Sequence, residues 1–169
     1  MEYQLKRLHV DGIATAIQKA DKYRELNQPE EAESICRDVL AVDPDHQLAL
    51  RVLGLALTDR FGEAPGARYA EAQAVFGRLR DPYERAFYAG LASEREAKAQ
   101  LARRVGVRSV LPLFEQALAR YAEAESLRPA GNDDAVLRWN SCVRRLQALG
   151  PVEHDAGDDW EMDSGPRHR

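Results

Sequence analysis

Two short stretches concentrate the groups that could bind charge. Arg103, Arg104 and Arg108 are separated only by Val105, Gly106 and Val107. Guanidiniums this close offer a surface for the carboxylates of a partner or of the chain's own acidic end. The complementary stretch is Asp158-Asp159-Trp160-Glu161-Met162-Asp163, one large aromatic and one Met among acids. Such a segment can dock by the apolar area of Trp160 and be oriented by its acids. The plainer readings are a solvated loop that interrupts a helix and a tail without a role. Sets suited to bond-making chemistry are missing. His9, His46, His154 and His168 are scattered, and none has a partner at metal-ligand or triad spacing. No strand leads into a glycine-rich phosphate loop. Glu30-Glu31 and Asp133-Asp134 fall at expected helix starts, where the helix dipole favours acids. The expectation is a protein that is not an enzyme and uses neither metal nor cofactor.

At 169 residues and 44% hydrophobic content, the chain can bury one sizeable core. Of its 28 acidic and 24 basic side chains, 6 and 2 lie in 150–169, which leaves 22 of each in the body. A charge-balanced body without a long basic stripe argues against nucleic acid as the ligand. No stretch approaches the roughly 20 apolar residues of a membrane span, and Met1 to Val10 lacks the apolar run of a secretion signal. Cys36 and Cys142 both fall on apolar helix faces, which predicts reduced core thiols in a cytoplasmic protein.

The elements that must position these groups are helices, since Ala, Leu, Glu and Arg dominate and β-branched alternation is almost absent. Seven are expected. The first runs from about Asp11 to Leu26 and buries Ile13, Ala16, Ala20 and Tyr23. The second starts at Pro29 and stops at Asp43-Pro44, because a residue before proline is pushed out of the helical region. The third, about 45–60, offers Leu50, Leu53, Gly54 and Leu57, and 61–66 reads as a loop. The fourth covers about 67–79, the fifth about 82–103 and the sixth about 111–127. Asn132 or Asp133 caps the seventh, which buries Trp139, Cys142, Val143 and Leu146 and ends at Gly150-Pro151. Residues 1–150 form the helical domain, and 151–169 read as a disordered acidic tail.

One pattern recurs at a fixed offset: Ala32, Cys36, Val39 and Pro44 return 85 residues later as Ala117, Tyr121, Ala124 and Pro129. Repetition at this scale means stacked helical units. The segment Ile13 to His46, with Ala20 and Tyr23, then Ala32, Cys36 and Pro44, resembles a tetratricopeptide repeat, a 34-residue helix-turn-helix unit. Leu50, Leu53, Gly54, Leu57, Ala72, Phe76 and Pro82 supply a second repeat, and Gly90, Ala117, Tyr121, Ala124 and Pro129 a third. Two repeats should span 68 residues rather than 85, so the third carries a lengthened first helix and an inserted segment near Arg103 to Pro112.

The resemblance implies an all-α, right-handed α-solenoid of about three degenerate helix pairs with a C-terminal capping helix. It also implies a concave groove on the first helix of each pair, which binds a peptide or helix of a partner protein. Carried across, the groove holds Ile17, Asp21, Arg24, Arg51, Leu55, Phe87, Leu91 and Arg95, with Ile17, Leu55, Phe87 and Leu91 as exposed apolar anchors. The Lys, Asn and Arg clamp of chaperone-binding members is replaced by Ile17, Asp21 and Leu55, which cannot donate to a carboxylate. Arg103, Arg104, Arg108 and Trp160 are secondary sites. The expected role is an adaptor, monomeric or weakly self-associating, that binds neither nucleic acid nor membrane. The alternative is a structural subunit of a fixed complex or a scaffold self-associating through the lengthened fifth helix and the inserted segment.

Overall fold

Prolines set where two of the helices begin. A computed structural model describes residues 3–63 and 66–150, and among them lie seven α-helices and no strand. A 3-10 turn, Val10–Gly12, leads into α1 (Ile13–Glu25), followed by α2 (Pro29–Val42), α3 (Gln47–Asp59), α4 (Ala67–Phe76), α5 (Pro82–Ala102), α6 (Val107–Leu127) and α7 (Asp134–Leu149). Pro29 and Pro82 occupy first-turn positions, where their missing N–H has no helical partner to lose. The Asp81 carboxylate accepts from the Tyr83 N–H, and His46 Nδ1 from the Ala49 N–H, which caps α5 and α3. None of the described helices is long and apolar enough to cross a membrane. The expected tail, 151–169, and Trp160 within it lie outside the described residues.

Each helix packs chiefly on the helices before and after it, with lighter contact between α1 and α3, α3 and α5, and α5 and α7. One core runs through α1 to α4 and reaches Ala92 of α5. A second, around Phe114, Tyr121 and Cys142, joins α5, α6 and α7. The positions related by the 85-residue offset are alike in burial: Ala32, Cys36 and Val39 are fully buried, and so are Ala117, Tyr121 and Ala124. In two of the pairs a glycine on the first helix meets an aromatic on the second, Gly54 against Phe76 and Gly90 against Tyr121. Burial pushes the Cys36 and Cys142 thiols up to about 12, so both stay protonated inside the core.

Two departures from the sequence expectation matter. The expected insertion near Arg103 to Pro112 is mostly helix, because α6 starts at Val107 and continues through Pro112. Pro112 is the sixth residue of α6, and its missing N–H removes one backbone hydrogen bond of the helix. The turn between α5 and α6 then closes with Arg104 at φ 62°, while the Val105 and Arg104 N–H groups donate to the Gln100 and Leu101 carbonyls. Asn27 closes the α1–α2 turn in the same way. The second is burial within the expected loop: Phe61 lies there as read from the sequence and packs edge-on against Tyr69 at 6.1 Å.

Candidate binding surface

Charge links α1, α3 and α5 along one side of the molecule. Arg24 Nε on α1 donates to Asp59 Oδ2 on α3 at 2.9 Å. The same Asp59 carboxylate accepts from Arg95 on α5, whose guanidinium also donates to the Thr58 hydroxyl at 2.7 Å. Arg51 on α3 donates to Glu84 on α5 at 2.7 Å. All of these groups remain partly open to solvent. Leu48 is exposed and Leu55 half-buried on the same helix as Arg51 and Asp59. The surface thus presents neutralised, accessible ion pairs beside an aliphatic strip.

Not every expected groove residue lies open. Asp21 is exposed, 3.7 Å from Arg24. Ile17, expected as an exposed anchor, is buried: Ile13, Ile17 and Ala20 share one face of α1 in the core with α2 and α3. Leu91 is buried as well, because α5 is surrounded by α3, α4, α6 and α7 and its run from Gly90 to Glu94 is closed on all sides. Phe87 is half-buried among Tyr83, Tyr88 and Tyr121, with ring centroids 5.2 to 5.9 Å away, so it serves packing first. Arg103 donates to the Phe61 carbonyl at 2.9 Å and lies 3.7 Å from Glu96, and the side chains of Arg104 and Arg108 reach the surface.

No protein-family model matches the chain, and no curated protein matches it. What the surface can do is therefore set by its own geometry. Two carboxylates on α5 are sealed in. Glu94 accepts from the Tyr121 hydroxyl at 2.6 Å and pairs with Lys98, with Arg138 of α7 at 3.6 Å. Glu96 accepts from Gln100 at 2.9 Å. Burial, followed by the Glu94 charge, pushes the Tyr121 hydroxyl far up, so it donates at any ordinary pH. Among the described residues no group of three His, Cys, Asp or Glu could hold a metal ion.

A second network escaped the sequence reading. Glu33 on α2 accepts from Arg37 at 2.7 Å, from Arg60 at 3.0 Å and from Arg68 at 3.1 Å, while Arg37 also donates to Glu71 on α4 at 2.7 Å. The signal that could have found both networks is spacing. Arg37–Glu71, Glu33–Arg68, Arg24–Asp59 and Arg51–Glu84 are 33 to 35 residues apart, close to the 34 residues that the resemblance implies for one unit. Burial alone would raise the Glu33 pKa, but the Arg37 hydrogen bond and the charges of Arg37, Arg68 and Arg60 outweigh it and hold it below 4.5. A carboxyl held low contributes stability above its unfolded pKa and loses it as pH falls through the folded one. Glu33→Gln is expected to lower the thermal midpoint at pH 7 by about 3 °C, roughly 1 kcal/mol for a chain this size. As pH falls through the folded pKa, where both states come to carry the proton, that deficit should shrink. Melting curves for the two proteins from pH 7 downward check this, and a deficit that stays constant throughout contradicts it.

Proposed function

We propose that the chain is a right-handed stack of three tetratricopeptide-type pairs, α1–α2, α3–α4 and α5–α6, capped by α7. In this reading it is a cytoplasmic adaptor without enzymatic activity, and it holds a peptide or helix of a partner protein along the faces of α1, α3 and α5. The observation that carries this is the Arg24–Asp59–Arg95 chain with Arg51–Glu84. These links join the first helices of successive pairs into one surface and leave Leu48 and Leu55 beside them. A partner with apolar anchors and a few acids fits such a surface, since aliphatic pockets supply area while charges set register. Ile17 and Leu91 drop out as anchors, and Leu48 takes their place.

Leu48→Ala combined with Arg51→Ala is expected to weaken partner binding by about 1 to 3 kcal/mol, the range of anchor residues. Removing the half-exposed Arg51–Glu84 pair should change stability by less than about 1 kcal/mol, so the two effects separate. Affinity capture quantified against the unaltered chain, followed by titration of the captured partner, measures the loss. Undiminished binding by the double variant would refute the surface. Phe87→Ala is a poor probe, because loss of a packed aromatic costs about 3 kcal/mol of stability.

A further inference from the structure

We propose that the basic end of the molecule, made by the α5–α6 turn and the last turns of α7, is the docking surface for this chain's own acidic segment, Glu153 to Asp163. The end is assembled by topology. α6 and α7 run antiparallel through a short turn, so the last turns of α7 lie level with the first turns of α6. Leu146 and Leu149 of α7 accordingly pack into the same cluster as Leu101, Val105 and Val110.

Arg104, Arg108, Arg144 and Arg145 are exposed on these elements. Arg104, Arg144 and Arg145 form no ion pair with the described residues, although most arginines elsewhere in the body do. The nearby acids do not neutralise this end: Glu96 is buried beside Gln100 and Arg103, and Glu115 is the one acid in the first half of α6. A body balanced as a whole is thus basic here. α7 ends at Leu149 with Gly150 as its cap, on this same end.

The segment that follows is complementary in both charge and apolar content. Glu153, Asp155, Asp158, Asp159, Glu161 and Asp163 come before any base, with Trp160 and Met162 among them. Ten extended residues reach about 33 Å at 3.3 Å each, so Trp160 can reach any point of an end that α7 leaves at Gly150. Half-buried Val105, Val107 and Leu149 give Trp160 an apolar seat between the arginines. Tethering this close gives an effective concentration of about millimolar, so a weak contact is still occupied.

The test uses the full chain labelled with 5-fluorotryptophan and read by fluorine NMR, with the Trp160 signal assigned through Trp160→Phe. At about 20 mM salt the Trp160 resonance should differ from that of a peptide of residues 150–169. At about 0.5 M salt, where screening shortens to a few ångströms, it should move to the peptide's position. The Arg104→Glu, Arg108→Glu, Arg144→Glu, Arg145→Glu variant should show the peptide's position at low salt, with its folding checked by circular dichroism. If that variant does not fold, the salt titration of the native chain decides by itself. A Trp160 resonance equal to the peptide's at both salts overturns the proposal, as does a shift that grows with protein concentration, which would put the segment on a neighbouring copy.

Discussion

Gly54→Ala should destabilise the fold by about 3 kcal/mol, the upper part of the range for overpacking. The sign is not trivial, because replacing glycine by alanine inside a helix normally gains about 1 kcal/mol. A methyl group on Gly54, however, would lie 2.3 Å from Cε1 and 2.5 Å from Cζ of Phe76. That ring has nowhere to go. It is fully buried and stacked on Tyr88 at 5.2 Å. Gly90→Ala meets Tyr121 and the Arg120 Cβ at 3.0 to 3.1 Å, a gap that a few tenths of an ångström relieves. Its penalty should fall below about 1 kcal/mol after the helix-propensity gain. Urea unfolding of the two variants, with Gly54→Ala/Phe76→Leu as the compensating double change, measures the difference. Equal effects at Gly54 and Gly90, or no recovery in the double variant, would show that the glycine-aromatic contact does not set the α3–α4 spacing.

Glu94→Ala should destabilise by about 3 to 4 kcal/mol, the range for breaking a buried charged group away from its partners. The substitution leaves the Tyr121 hydroxyl without its acceptor in a closed core and removes the attachment of Lys98 and Arg138. Glu94→Gln keeps the shape and an acceptor for Tyr121, so it should lose only about 1 kcal/mol, near the value of one net hydrogen bond. Tyr121→Phe belongs between them at about 2 kcal/mol, since it strands one carboxylate oxygen. The order Ala, Phe, Gln in chemical denaturation is the expected result. If Glu94→Gln proves as damaging as Glu94→Ala, charge rather than the Tyr121 bond holds α5, α6 and α7 together.

The small-large pattern shared by α2 and α6 was legible because it lies in residue size. Ala32 with Cys36 and Ala117 with Tyr121 could only repeat if similar faces pack alike. Helix starts at Pro29 and Pro82 were legible because proline has few other places in a helix. Pro112 misled for the same reason, read as a boundary although it lies inside the early turns of α6. Exposure was harder. Ile17 and Leu91 were assigned to an open wall by their place in a repeat, but whether α5 is closed depends on the lengths of α6 and α7 packed against it. The ion pairs that link α1 to α3 and α3 to α5 were written in the chain as opposite charges 33 to 36 residues apart, a spacing that carries a signal only when set beside the expected 34-residue unit.

The most direct test of the adaptor account is site-specific photocrosslinking in the host cell. A benzophenone amino acid would replace Leu48 on the linked α1–α3–α5 face, or the exposed Ser34 on α2, or the exposed Ala122 on α6. The account predicts a discrete protein adduct from position 48 that is absent from positions 34 and 122. Adducts from 34 or 122, with none from 48, would contradict it.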